Sequence, residues 1–287
     1  MRLSTLKSTF AAASGLILAA QVAAAQEVNE KLSIVGAPTA GGTGFQTSGT
    51  EMARDVHWLD GMILTIITCI TIFVTLLLIW VAVRYNSRSN PTPAKFTHNS
   101  PLEIAWTIVP VVILVFIGAF SLPVLFKQEE IPQADMTVKV TGHQWYWTYE
   151  YPDDKVIFDS YMIGTGEGNL SPAISDELHK AGYTDAEFRL AADNALVVPV
   201  NKTVVVQVTG GDVIHGFYIP SFGVHIAAVP GRLAEVWFKA DKEGIYFGQC
   251  SALCGQAHSA MPITVKVVSQ QAYDEWLAAA KVQNPAS

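Results

Sequence analysis

Two unbroken apolar runs, residues 62–83 and 104–126, dominate the pattern along the chain. Each exceeds 20 residues and is almost uncharged, and at 1.5 Å rise per residue each reaches about the 30 Å of a bilayer core. They predict a transmembrane hairpin with helices over about 59–84 and 103–126. The connection between them carries Arg84, Arg88 and Lys95 and no acid, which places it in the cytoplasm and both outer ends of the hairpin outside. Trp58, Trp80 and Trp106 fall near the ends of the runs, where amphipathic rings favour the headgroup level. Pro110 and Pro123 are tolerated in the second helix if neighbouring groups satisfy the freed carbonyls.

From about residue 128 onward the pattern changes to short β-branched or aromatic stretches at 137–141, 196–200, 203–208, 234–238, 244–248 and 262–268, set apart by Gly, Pro, Asn and Asp. That rhythm predicts a β-sandwich or barrel. In the aromatic run after Gln144, strand alternation puts Trp145, Trp147, Tyr149 and Tyr151 on one face and Tyr146, Thr148 and Glu150 on the other, with Trp147 and Tyr149 expected in the core. Residues 270–281 read as a closing helix. A polar insertion over about 163–190 holds a predicted helix near 175–181 and suggests no function.

The N-terminus has Arg2 and Lys7, an apolar run over 10–20 and the small residues Val22-Ala-Ala-Ala25, the parts of a secretory signal peptide over 1–25; as a first membrane anchor the run is short. The expected organisation is a signal peptide (1–25), an external N-terminal segment (26–57), the hairpin (58–127) and an external β domain (128–287). Beyond residue 126 there are 19 acidic against 11 basic residues, a formal −8 where the whole chain has −7. An acidic external domain suits a basic partner or simply solubility, and no nucleic-acid partner is expected.

The chemistry concentrates in Cys250-Ser-Ala-Leu-Cys254-Gly-Gln-Ala-His258-Ser-Ala-Met261, with His215 upstream in Asp-Val-Ile-His-Gly-Phe. Thiolate and thioether are soft ligands that favour copper, and one Cys, two His and a weak Met form a mononuclear electron-transfer centre. The second Cys suits two copper ions bridged by two thiolates and sharing one delocalised electron. A Cys2His2 zinc site is a rival reading, although its usual cysteine spacing is tighter and it leaves Met261 unused. A Cys250–Cys254 disulfide is another, compatible with an exported chain, but it leaves the His and Met placement unexplained.

Beyond these donors, Phe96-Thr-His-Asn-Ser-Pro-Leu-Glu-Ile-Ala-Trp106, Gly142-His-Gln-Trp-Tyr-Trp-Thr-Tyr-Glu-Tyr-Pro152, Val229-Pro-Gly-Arg232 and Tyr246-Phe-Gly-Gln-Cys250 are specific motifs. Through them the chain resembles subunit II of the haem–copper cytochrome c oxidases, alphaproteobacterial type, over about residues 36–276. The resemblance implies a membrane hairpin followed by a cupredoxin-like Greek-key β-barrel holding the dinuclear copper centre Cu-A. By position it implies His215 and His258 as terminal imidazole ligands, Cys250 and Cys254 as bridging thiolates, Met261 as the weak ligand on one copper and the backbone carbonyl of Ala252 as the last. It also implies Trp145 as the exposed ring through which cytochrome c delivers its electron, ringed by the docking carboxylates Glu150, Asp159, Asp193 and Asp212, whose charge would steer a basic cytochrome. Glu103, a natural helix cap at the start of the second helix, takes by the same resemblance a second role at the mouth of a proton-uptake channel into subunit I.

Four positions depart from the family's pattern: His225 and Ala227 where Lys and Asp are usual, Ala252 where Glu is usual, and Ala260 in place of an aromatic residue. All four are expected on loops facing subunit I. The missing Glu side chain is the one that reaches a magnesium ion in the family, so no magnesium ligand is expected from this chain. The function expected is that of an electron-transfer subunit of a cytochrome c oxidase in the bacterial inner membrane, with its C-terminal domain in the periplasm. It would take electrons from cytochrome c and pass them to haem in subunit I, which alone holds haem and Cu-B, reduces oxygen and pumps protons. Subunit III and membrane lipid are the other expected neighbours. A membrane-anchored copper-storage or copper-delivery protein is the runner-up from another class. A quinol oxidase subunit lacks the copper ligands, and a nitrous-oxide reductase, which shares them, lacks the hairpin.

Overall fold

A computed structural model describes residues 32–164 and 168–286; the signal peptide expected over 1–25 lies outside the described residues. Arg54–Glu130 forms one compact unit, and the described residues before and after it form a second.

The first unit is the hairpin. Helix α1, Glu51–Arg84, begins well before the apolar run because Thr50 caps it: its Oγ1 accepts from Ala53 N at 3.0 Å, satisfying one of the backbone donors that a helix start leaves over. Helix α2, Ser100–Glu129, starts on the N-cap Asn99, whose side chain accepts from Leu102 N, and runs on through Pro110 and Pro123. At 34 and 30 residues the helices are about 51 and 45 Å long. Both are long and apolar enough to cross a membrane, and apolar side chains such as Phe73, Leu78, Leu114 and Phe126 are exposed along them. Lys127 pairs with Asp55 at 2.7 Å, and Trp58 meets Phe120 with ring centroids 5.7 Å apart, so the start of α1 and the end of α2 lie side by side.

The second unit is a two-sheet β structure, in agreement with the expected cupredoxin-like class. Its strands are β1 (Ile34–Gly36), β2 (Met136–His143), β3 (Tyr146–Tyr151), β4 (Val156–Ser160), β5 (Leu196–Pro199), β6 (Thr203–Gly210), β7 (His215–Ile219), β8 (Val224–Ala228), β9 (Ala234–Lys239), β10 (Gly244–Cys250) and β11 (Pro262–Val268). One sheet runs β5-β11-β10-β7-β8 with β1 also paired to β10, and the other runs β4-β3-β2-β6-β9. Val138, Val140, Trp147, Tyr149, Val206, Phe217, Phe222, Tyr246 and Val265 are among the fully buried side chains of a single core. Rings from the two sheets meet there, as in Trp147 against Phe217 at 5.4 Å. Each buried apolar side chain of the size of Phe217 contributes about 1.5–3 kcal/mol.

The polar insertion contains helix α3, Pro172–Lys180. Its Ile174 and Leu178 pack with Ile163 and Tyr183 on Ile245 and Phe247. These two alternate along β10 with Tyr246 of the main core, so the insertion covers the second face of β10 and leaves that strand buried on both sides. Helix α4, Gln270–Gln283, follows β11 and is capped by Ser269.

Candidate metal centre

The donor residues come from β7, from the end of β10 and from the loop that leads to β11. His215 is the first residue of β7 and is fully buried. Gly142 of β2 makes room for it: a Cβ there would lie 2.8 Å from the His215 ring. Cys250 ends β10, its N–H donates to the carbonyl of Met261 at 3.1 Å, and this bond closes the loop that carries Cys254 and His258. Cys250, Cys254 and Met261 are all buried.

Both cysteines are free thiols, with their sulfurs 3.8 Å apart. One imidazole flanks each sulfur: His215 Nδ1 lies 4.0 Å from Cys250 Sγ and His258 Nδ1 lies 3.5 Å from Cys254 Sγ. The Ala252 carbonyl stands 3.3 Å from Cys250 Sγ. Donor atoms of His215, Cys250 and Cys254 lie within 4.8 Å of one another, and His258 falls outside that group. The two adjacent thiols thus lie between the two imidazoles, and the buried group of His215, Cys250 and Cys254 could hold metal. Burial first, and the neighbouring Cys250 next, push the Cys254 thiol up to about 12. A thiolate at this place therefore calls for a cation beside it.

Asp212 orients the buried imidazole. Its Oδ1 lies 2.8 Å from His215 Nε2, which leaves Nδ1 as the ring atom facing Cys250, the arrangement by which carboxylates commonly fix a metal-binding histidine. The same carboxylate accepts from Gln144 N at 2.7 Å and from Val213 N at 2.6 Å. Partial burial works against its ionisation, but the bonds from His215, Val213 and Gln144 prevail and hold it below the ordinary carboxylate range.

Trp145 lies outside the strand expected to hold it. β3 starts at Tyr146, and Trp147, Tyr149 and Tyr151 are the buried residues of that strand, as anticipated for Trp147 and Tyr149. Trp145 lies in the turn before β3, partly exposed, and its indole Nε1 donates to the Cys254 carbonyl at 3.3 Å. Gln144 Nε2 donates to the same carbonyl at 3.0 Å. Gln144 was not singled out from the sequence; an amide carries neither charge nor metal affinity, and its place in the His-Gln-Trp motif was the one available signal.

The four acids expected at the docking surface are all engaged by the protein itself. Glu150 pairs with Lys139 at 2.9 Å, and Asp159 accepts from the Thr148 hydroxyl at 2.6 Å. Asp193 accepts from the backbone N–H groups of Tyr161 and Asn194 at 2.8 and 2.6 Å, yet its burial outweighs those bonds and keeps its carboxyl above the usual range. Glu103 accepts from Asn99 N at 3.0 Å, which is the capping role. His225 and Ala227 lie on β8 rather than on a loop, because Val224 and Ala228 bury inward at both ends while the residues between them pair with β7. Ala252 does lie in the metal loop, and Ala260 ends a 3-10 turn over His258–Ala260.

The family described as "Cytochrome C oxidase subunit II, periplasmic domain" matches residues 136–268, and the one described as "Cytochrome C oxidase subunit II, transmembrane domain" matches residues 38–124. The "Cytochrome c oxidase subunit 2" of Cereibacter sphaeroides is 60% identical over 285 residues, covering 98% of this chain and 93% of that one. A "Probable cytochrome c oxidase subunit 2" of Rickettsia bellii is 45% identical over 82% of each. Among solved structures, the periplasmic domain of subunit II of cytochrome oxidase (CoxB) of Bradyrhizobium japonicum is 46% identical, with a TM-score of 0.45 over 54% of this chain and 99% of that one.

Proposed function

The chain belongs to the cytochrome c oxidase subunit II family, as an electron-transfer subunit of that oxidoreductase, and we propose that it works through a dinuclear Cu-A centre. The ligands are His215, Cys250, the Ala252 carbonyl, Cys254, His258 and Met261. The observation that carries this reading is the pair of adjacent free sulfurs, 3.8 Å apart, with one imidazole at each side. When bound, the copper pair supplies a one-electron carrier. The chain's own part is to hold the donors in one geometry inside a buried loop, with the His215 tautomer set by Asp212, so that little rearrangement accompanies a change of charge. Trp145 is the ring at which the electron arrives from cytochrome c, supported by the 3.3 Å bond that ties its indole to the Cys254 carbonyl. Copper analysis and electron paramagnetic resonance of the purified oxidase test the reading: two coppers per chain sharing one electron support it, and a single localised copper, or zinc, ends it.

In this reading the protein sits in the bacterial inner membrane, with residues 1–25 removed, 26–57 external, 58–127 spanning, and 128–287 in the periplasm. Subunit I, with haem and Cu-B, receives the electron, and subunit III and lipid adjoin the hairpin. Glu103 lies at the mouth of the proton-uptake channel as well as capping α2.

Glu150, Asp159, Asp193 and Asp212 steer the cytochrome. Exposed charges are screened over about 8–10 Å at ordinary salt, so the association rate measured by stopped flow is expected to fall steeply as salt is added. Glu150 pairs with Lys139, but removing either carboxylate changes the domain's charge by one, so Glu150→Gln and Asp159→Asn are each expected to slow association at low salt. Association unaffected by both changes, or a rate indifferent to salt, would contradict this assignment.

Magnesium, which demands near-octahedral oxygen ligands, receives no side chain from this chain: Ala252 has none to offer and His225 is an imidazole, better suited to copper or zinc. Manganese incorporated during growth is expected to wash out of the oxidase readily, and Ala252→Glu to slow its loss if subunit I keeps its share of the ligands. Tight stoichiometric manganese with a ligand traced to the unmodified chain would refute the expectation.

A further inference from the structure

His225 holds a hydrogen bond that none of the roles above uses. It is exposed on β8, and its Nε2 lies 2.8 Å from the Oγ of Ser251, the residue between Cys250 and Ala252. Across the sheet, Gln249 of β10 pairs with Tyr218 of β7, and Tyr218 pairs with His225. Directly paired residues project from the same face, and the Tyr218 and His225 rings lie 4.9 Å apart. The outer face of the sheet therefore carries a row that ends in an imidazole aimed at the metal loop.

Ser251 is held from below as well. Its N–H donates to the Gly216 carbonyl at 3.0 Å. A Cβ on Gly216 would come within 2.2 Å of Ser251 Oγ and 2.8 Å of Ala252 N, so the loop lies directly on the β7 backbone and only glycine fits beneath it. The backbone bond and the imidazole together restrain Ser251, and with it the start of the peptide that leads to Ala252. The Ala252 carbonyl then stands 3.3 Å from Cys250 Sγ.

We infer that His225 is a positioning residue for the metal centre, which, through its hydrogen bond to Ser251, holds the Ala252 carbonyl in place beside Cys250. The inference rests on the dinuclear copper reading. It concerns a side chain that offers no ligand itself: partners one bond removed from a metal's ligands orient them and typically matter about 10–100-fold for metal retention or activity.

The test uses the purified oxidase and three substitutions. His225→Phe keeps a ring against Tyr218 and removes the hydrogen bond, Ser251→Ala removes the other half of it, and His225→Gln keeps a hydrogen-bonding group within reach. Two readouts are followed: the copper hyperfine pattern in the paramagnetic resonance spectrum, and the rate at which a copper chelator strips the centre. His225→Phe and Ser251→Ala are expected to alter the hyperfine pattern in the same way and to speed copper loss about 10-fold. The double variant should be no worse than either, as two halves of one interaction require, and His225→Gln should return toward the unmodified protein. Unaltered spectrum and retention in His225→Phe, or additive effects in the double variant, overturn the inference. If His225→Phe fails to assemble, Ser251→Ala decides alone, since a normal spectrum and normal retention there also overturn it. Failure of the parent reading looks different: the unmodified oxidase itself would then lack a shared-electron spectrum.

Discussion

Cys254→Ser in the purified oxidase is expected to abolish the spectrum of an electron shared by two coppers, leaving a localised single-copper signal or an empty site, and to bring electron transfer from cytochrome c to background. The reason lies in how the donors divide. His258 Nδ1 lies 3.5 Å from Cys254 Sγ, so the loss of that sulfur removes both the proposed bridge and this contact of His258 with the pair. A hydroxyl is also a harder ligand than a thiolate and a poor match for copper. The fold itself is expected to survive: burying one unpartnered hydroxyl costs about 1–3 kcal/mol, against a typical domain stability of about 5–15 kcal/mol. Circular dichroism and oxidase assembly check that point, and Cys69→Ser, which changes an exposed residue of α1, is the control that leaves the spectrum intact. A fully shared-electron spectrum in Cys254→Ser would remove the bridging role from this residue.

What could be read in advance depended on how much of each feature is written in local pattern. The apolar runs announced α1 and α2 because a bilayer core requires uninterrupted apolar length. Their ends were less legible: α1 extends back to Glu51 through polar residues, held by the Thr50 cap rather than by hydrophobicity. Strands of the core such as β6 and β11 carry dense β-branched sequence and were found. β7 and β8 are five residues each, and β7 mixes a candidate ligand histidine with a glycine, so neither gave an alternating signal. Trp145 looked like a member of the β3 alternation, yet the strand begins at Tyr146 and Trp145 lies in the turn before it, where strand alternation no longer sets the face of a side chain. The candidate metal donors stood out because soft ligands are rare and their spacing is compact. Their supports were not visible. Asp212 was expected to serve docking alone, and its bond to His215 exists only because the chain enters β7 at that histidine. Ser251 and His225 meet across 26 residues through the β7–β8 pairing, which no linear pattern reports.

The largest kinetic effect away from the donors is expected at Trp145. Its ring is partly exposed at one side and donates through Nε1 to the Cys254 carbonyl at the other, so a single side chain leads from the surface to the backbone of a proposed ligand. Trp145→Ala breaks that route and replaces it with a gap, and electron transfer from cytochrome c is expected to slow by orders of magnitude. Binding is expected to change little, because in the proposed reading long-range steering is assigned to the carboxylates and not to the ring. The same substitution also removes a hydrogen bond from the Cys254 carbonyl, and a slow rate could then reflect a disturbed copper centre. Two features separate the causes. Gln144 Nε2 still donates to that carbonyl at 3.0 Å, so the spectrum of the centre in Trp145→Ala should stay close to that of the unmodified oxidase. Trp145→Phe, which keeps an aromatic ring without the N–H, should recover part of the rate if the ring is the route and none of it if the hydrogen bond is what matters. Rapid-mixing kinetics at low salt, with binding measured on the same samples, distinguish these outcomes, and a normal transfer rate in Trp145→Ala would take the ring out of the electron's path.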